Sequence, residues 1–202
     1  DAISILIDCS EIQDLTPHVR HLVHTFLAEA ALEAGYLDLA GFHAERARVV
    51  LPEAAAPRVR LRGILLGVQC VIVAHRFGRA VSETAIREAQ RQLQVAMEVN
   101  REASLDFDLR LAFRNAELME MLGNTAIALR EYEAVAAAPE SAATTLVIIH
   151  ANVALGRLHL RRGRHAKAEA CFARAESSAV LNKHTDDAFE AYFGLLQVAL
   201  AT

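Results

Sequence analysis

Three histidines stand three residues apart near the start of the chain, at His18, His21 and His24 in the stretch TPHVRHLVHTF. Closely spaced histidines can bind a metal ion, so their geometry on a helix has to be considered first. Each three-residue step drifts by about 60°, so the outer two point about 120° apart and lie roughly 9 Å apart along the axis. Helical metal sites usually use i, i+4 spacing, and no acidic or cysteine ligand stands at a suitable spacing nearby. The pattern favours a half-buried polar rim, with His24 facing a partner helix, and we expect no metal site.

Two other groups of residues could do chemistry. Glu117 and Glu120 stand at i, i+3 and would suit acid–base work in a closed pocket, although such a pair is more typical of a solvated helix face. The basic stretch RLHLRRGRHAK (157–167) could contact phosphate, RNA or an acidic peptide, or it could be a solvated turn. It lacks the interleaved aromatic residues that stack on RNA bases. Because no nucleophile motif or phosphate-binding glycine loop is present, the sequence predicts neither an enzyme nor a cofactor.

Composition narrows the class of protein. The chain has 202 residues, of which 53% are hydrophobic and only 5% aromatic, so its apolar content is mostly alanine and leucine, which favour helix. A net charge of −4 argues against a dedicated nucleic-acid binder. The longest apolar run, GILLGVQCVIVAH (63–75), is too short to span a membrane. Three distant cysteines argue against a disulfide framework, so we expect buried thiols in a reducing, cytoplasmic compartment.

A repeated pattern of small residues indicates how the helices are arranged. In ALGRLHLRRGRHAKAEACFARA (154–175), Leu155-Gly156 stands seven residues before Gly163. Small, aromatic and small residues then follow Gly163 at five, nine and twelve positions, namely Ala168, Phe172 and Ala175. Small residues let two antiparallel helices approach closely while one large residue fills the gap between them. The glycine permits a left-handed backbone at the turn between the helices.

The same pattern recurs around Gly35 and Gly123, and more weakly around Gly78. It resembles the tetratricopeptide repeat, in which a first helix carrying Leu-Gly and an aromatic ends at a turn glycine and a second helix follows. His159 occupies the aromatic position of the first helix. The turn glycines are 43, 45 and 40 residues apart, which is longer than the usual repeat of about 34 residues. Such long units are similar to the helical arrays of bacterial multidomain regulators, such as LuxR-type activators and GGDEF diguanylate cyclases.

The resemblance implies an all-α fold, a right-handed α-α superhelix of about four helical hairpins plus a terminal helix, in a single domain over residues 1–202. The expected units cover about 17–52, 57–100, 104–139 and 142–180, with the terminal helix over 185–202. Within them we expect helices over 17–34, 37–50, 57–77, 80–100, 104–122, 125–138, 142–162, 165–179 and 185–201. Residues 1–15 could form a further helix that caps the stack. The chain has no initiator methionine and ends in an apolar stretch, so we expect a segment of a longer protein.

In this family the first helices line a concave groove that binds protein or peptide partners. Carried over from the turn glycines, the groove residues are His75, Arg76, Arg110, Phe113, Glu117, Glu120, His150, Arg157 and Arg161. We expect Glu117 and Glu120 to face Arg157 and Arg161 across adjacent units. The implied function is a scaffold or regulatory domain that relays binding to an attached signalling or transcription domain.

Two further expectations concern apolar surface. An alternative function is a small-ligand or peptide sensor with an apolar pocket in the groove, around Val68, Ile72 and Phe113. The terminal stretch 186–202 carries more apolar residues than one packing face needs. We expect this surface to pair two copies as a homodimer or to hold the next element of a longer protein. Neither nucleic acid nor a membrane is an expected partner.

Overall fold

The described part of the chain, residues 2–12, 14–51 and 55–202 of a computed structural model, is α-helical and contains no β-strand. Its ten helices are α1 (Ala2–Ser10), α2 (Pro17–Glu33), α3 (Leu37–Val49), α4 (Pro57–Arg76), α5 (Glu83–Glu102), α6 (Asp108–Met121), α7 (Thr125–Ala136), α8 (Thr145–Arg161), α9 (His165–Leu181) and α10 (Thr185–Ala201). The expectation of an all-α fold is therefore confirmed for these residues, and the N-terminal stretch does contribute a helix.

Side-chain caps decide where several helices begin. The Thr16 hydroxyl accepts a hydrogen bond from the backbone N–H of Val19, directly before a first-turn proline, so α2 begins at the predicted residue. Ser82 caps α5 in the same way by accepting from Ala85 at 3.2 Å. Because of this cap, α5 begins three residues later than the predicted residue 80. The turn after Gly78 is correspondingly longer than the other glycine turns.

A left-handed residue ends most of the helices. All four predicted turn glycines have positive φ, from 67° to 78°. At Gly163, the N–H of Arg164 closes the turn by donating to the carbonyl of His159 at 2.9 Å. Ser104 and Lys183 have the same left-handed conformation, with φ of 50° and 61°, although neither is glycine. The turn at Ser104 delays α6 until Asp108, later than predicted, and the turn at Lys183 leads from α9 into α10.

The described chain divides into two compact units, residues 1–114 and 115–202, with the boundary inside α6. Within the first unit α2 packs against α3 and also contacts α4. Within the second unit α8 packs against α9, α9 packs against α10, and α8 also contacts α10. Each unit therefore contains contacts between neighbouring helices and between helices two places apart. Among the described helices, none has the combination of length and apolar character needed to cross a membrane.

A single aromatic ring organises the core of the second unit. Phe172 of α9 is only 1% exposed and lies between Gly156 of α8 and Gly194 of α10. A Cβ atom at either glycine would come within 2.6 Å or 2.4 Å of the ring, respectively. Both glycines are therefore needed for the two helices to approach the ring. Gly194 contacts Phe172 as Gly156 does, so these two glycines align α10 with α8.

The small residues that the sequence predicts at the other helix crossings are buried. Ala128 and Ala168 are both fully buried, at 0% exposure. In the first unit Ala40, Ala44 and Ala47 of α3 are 0%, 3% and 0% exposed. Alanine at these positions leaves room for the backbone of the facing helix.

Candidate partner-binding face

One face of α8 is polar although the rest of this helix is buried. Twelve of its 17 residues are buried. On the remaining face Arg157 donates to Glu190 of α10, and Arg161 donates to Glu120 of α6. The Nε2 atom of His150 lies 2.9 Å from a carboxylate oxygen of Asp187, also on α10. Side-chain pairs thus connect α8 to α6 on one side and to α10 on the other.

Glu120 has two hydrogen-bond donors. Besides Arg161, it accepts a hydrogen bond from the Tyr132 hydroxyl at 3.1 Å. Tyr132 lies on α7, is 1% exposed and holds the carboxylate in place from the core side. The predicted pairing of Glu120 with Arg161 is therefore present. Arg157, one turn earlier on α8, pairs with Glu190 of α10.

Two ion pairs, one in each unit, have the same separation in the sequence. Arg157 and Glu190 are 33 residues apart in the sequence, and so are Glu29 of α2 and Arg62 of α4, which pair in the first unit. In each unit an arginine and a glutamate on helices two places apart connect those helices. This shared separation of 33 residues between opposite charges is visible in the sequence, but the turn glycines, which are 40–45 residues apart, do not predict it.

The ion pairs on this face are accessible. The side chains of Arg157 and Arg161 are 41% and 58% exposed. Exposed ion pairs contribute only about 0–1 kcal/mol to stability, because water already solvates both charges. A ligand can therefore compete for these guanidinium groups at little cost to the fold. The face offers both strong donors, the arginines, and strong acceptors, Glu120 and Glu190.

The other predicted groove residues are distributed differently. His75, Arg76 and Arg110 are exposed in the first unit, where the Arg110 guanidinium lies 5.6 Å from the centre of the Phe107 ring. Phe113 and Glu117 are each only 3% exposed. These two side chains are buried, so neither presents surface to a partner. The predicted residues that the structure brings together in one unit are Glu120, His150, Arg157 and Arg161.

The apolar residues considered for a ligand pocket belong to the core. Val68, Ile72 and Phe113 are 0%, 2% and 3% exposed. A cavity of about 620 Å³ does occur in the first unit, but at a different place. It is lined by Ile3, residues 35–39 and Arg79. Sequence patterns could not predict this cavity, because it forms where α1 meets the turns that follow α2 and α4.

The three opening histidines have different environments. His18 is exposed, whereas His21 and His24 are 1% and 8% exposed, so the expectation of a half-buried rim is wrong for both. Nδ1 of His21 donates to the carbonyl of Ala47 at 2.9 Å. Nδ1 of His24 is 3.0 Å from Nδ1 of His43 on α3, and the rings stack with centroids 5.1 Å apart. His24 therefore faces the partner helix as predicted. In the described ranges, no three His, Cys, Asp or Glu side chains are grouped so that they could hold a metal ion.

Burial and positive neighbours control the charge of these histidines. The pKa of His24 is lowered mainly by burial, and the neighbouring His43, Arg46 and Arg20 lower it further. Burial and Arg46 also lower the pKa of His43. At neutral pH both rings are therefore neutral, so one Nδ1–H donates to the other Nδ1. The pair is a buried structural hydrogen bond between α2 and α3.

The cysteines agree with the expectation of buried thiols in two of three cases. Cys70 and Cys171 are 8% and 5% exposed, Cys9 is half-buried, and all three are free. Burial raises the pKa of the Cys70 thiol to about 11, so this thiol is neutral and unreactive at neutral pH.

No protein-family model matches this chain, and no curated protein matches it in sequence. The resemblance to the tetratricopeptide repeat therefore depends on the residues themselves. The features that support it are the left-handed turn glycines and the contact of Phe172 with Gly156 and Gly194.

Proposed function

We propose that this chain is a helical-repeat domain of the tetratricopeptide type that binds an extended polypeptide along its first helices. In the second unit the first helices that carry the proposed site are α8 and α10, together with the end of α6 that holds Glu120. The proposal includes the right-handed superhelical arrangement and a regulatory role, in which binding is relayed to an attached signalling or transcription domain in the cytoplasm.

The observation that carries the proposal is the polar face of α8. Arg157 and Arg161 are partly exposed on a helix whose other sides are buried, and each is aligned by an acid on a neighbouring first helix. A rigid helix that holds exposed donors and acceptors in fixed positions suits recognition, because little side-chain freedom is lost when a partner binds.

The charge balance of the face indicates the kind of partner. Both arginines are paired with a carboxylate, so the face has donors beside acceptors and no large net charge. The backbone of an extended peptide has the complementary pattern, since its carbonyl groups accept from arginine and its N–H groups donate to carboxylate. We therefore propose a peptide segment, recognised largely through its backbone, and not a strongly charged polymer.

Selection from a library of displayed random peptides tests this function. The selected peptides should bind the wild-type chain, and Arg157→Ala/Arg161→Ala should weaken their binding by about tenfold or more, the effect expected of central interface residues. Arg130→Ala is the matched control, because Arg130 is an exposed arginine on the second helix α7. Failure to select any peptide, or an equal loss in the Arg130 variant, would show that this face is not the binding site.

A further inference from the structure

An apolar stripe runs along α10 on the side that faces away from Phe172. Its five large side chains are 45–89% exposed, and they are Phe189, Tyr192, Phe193, Leu196 and Leu200. At 100° per residue they fall within a sector of about 100°, opposite Gly194. A continuous apolar stripe of this kind is what a helix presents to another helix.

The same unit covers the corresponding stripe on α8. Gly156 and Gly194, which both contact Phe172, are 38 residues apart and define the equivalence of the two helices. The α8 counterparts of the first four stripe residues are 0–7% exposed, and they are Ala151, Ala154, Leu155 and Leu158. The α10 stripe therefore occupies a position that this fold buries in α8.

The composition of α10 restricts what can cover the stripe. From Ala191 to Thr202 the chain has no charged residue. Glu190, the last charged residue before that point, is engaged by Arg157. A polar or charged partner would lose hydration on this surface without gaining compensating pairs. A suitable partner is another uncharged, apolar helix, and a second copy of α10 is such a helix.

The stripe is large enough for a weak dimer. With roughly 200 Å² per aromatic side chain, its three aromatic rings expose about 360 Å² per copy. Two copies would then bury about 700 Å² from the rings alone, and the leucines raise this to roughly 1,000 Å², the lower bound for a specific interface. Interfaces near this lower bound are typical of weak, transient association.

We propose that two copies of this chain form a twofold-symmetric dimer through the α10 stripes, packed antiparallel with Phe193 and Leu196 near the axis. An isologous pairing uses the same patch on both copies, so each stripe covers the other and no further apolar surface is needed. This surface lies on the exposed side of α10 and is distinct from the polar face of α8, so the two binding events can be tested separately.

Sedimentation velocity on the 202-residue chain, over about 1–200 µM, tests the dimer. We expect the average sedimentation coefficient to rise from the monomer value to the dimer value as concentration increases. Phe193→Glu and Leu196→Glu should each weaken association by more than about tenfold, because each buries a charge in the apolar centre of the interface. Both side chains are exposed in the monomer, so helix content measured by circular dichroism should be unchanged.

Phe77→Glu is the matched control. Phe77 is 72% exposed, as Phe189 is, but lies at the end of α4 in the first unit. This substitution should leave association unchanged. A monomer at every concentration would overturn the proposal. A dimer that persists in both α10 variants would also overturn it, because another surface would then hold the copies together.

Discussion

The contact of Phe172 with two glycines makes a sharp prediction about stability. An alanine Cβ at position 156 would lie 2.6 Å from the ring, and one at position 194 would lie 2.4 Å from it. Non-bonded carbon atoms normally approach to about 3.5–4.0 Å, so the ring would have to retreat by roughly 1 Å. The ring of Phe172 lies between α8 and α10, so a shift away from Gly156 moves it towards Gly194, and the reverse.

The change in the free energy of unfolding that a glycine-to-alanine substitution causes here is the difference between two opposing effects. Overpacking of this size costs about 1–3 kcal/mol. Alanine in a helix interior is better than glycine by about 1 kcal/mol, which offsets part of that cost. For Gly156→Ala we therefore expect a net loss of about 0–2 kcal/mol, or a fall in melting temperature of up to about 8 °C. Gly194→Ala should cost less, because α10 is exposed on its far side and can move outward.

Thermal and urea unfolding followed by circular dichroism measure these losses. Gly41→Ala is the control, because Gly41 lies within α3 and a Cβ there would have nothing within 4 Å. That substitution should stabilise the chain by up to about 1 kcal/mol through helix propensity alone. Because Gly41→Ala should raise stability and Gly156→Ala should lower it, the two variants separate the steric effect from the effect of helix propensity.

A double-mutant cycle with Phe172→Leu isolates the contact. The smaller leucine side chain makes room for the new methyl group, so Gly156→Ala should be less harmful in the Phe172→Leu background. We expect a coupling energy of about 0.5–3 kcal/mol between the two positions. Additive effects, or a stabilising Gly156→Ala in the wild-type background, would refute the packing argument and the register that aligns α8 with α10.

Two further predictions follow from the buried histidines and the turns. Stability should fall as pH drops below 6.5, because the pKa values of His24 and His43 are lowered in the folded chain, so the unfolded chain binds more protons there. Urea midpoints at about pH 7.5 and about pH 5.5 should differ more for the wild type than for His24→Gln/His43→Gln, and equal differences would contradict this. Lys183→Gly should stabilise the chain by roughly 0.5–1 kcal/mol by relieving a left-handed φ, whereas Gly163→Ala should destabilise it by about 1 kcal/mol. Unchanged melting temperatures in both turn variants would contradict the strain argument.

The sequence predicted the helices well where local residues determine them. Thr16-Pro17 placed the start of α2, and Gly35 and Gly163 placed turns, because capping and left-handed glycine act within a few residues. The predicted helix boundaries were wrong where a residue other than glycine adopts the left-handed conformation. Ser104 takes a positive φ without being glycine, so the predicted α6 began too early.

The candidate site was predicted less completely, because it depends on helices that are distant in the sequence. The pairing of Glu120 with Arg161 was predicted from the spacing of the turn glycines. The pairing of Arg157 with Glu190 depends on how far α10 is shifted along its axis relative to α8. The spacing of the turn glycines did not specify this shift. Burial of Phe113 and Glu117 depends on which side of α6 is covered, and residue spacing cannot determine that.

Photo-crosslinking of a selected peptide to the chain, with the adducts mapped by mass spectrometry, tests the central proposal most directly. Peptide binding along the first helices predicts adducts on the exposed residues of α8 and α10 around Arg157, Arg161 and Glu190. Excess unlabelled peptide should compete for these adducts, and Arg157→Ala/Arg161→Ala should reduce them. Adducts confined to the second helices α7 and α9 would contradict the account, because the polar face of α8 would then have no part in recognition.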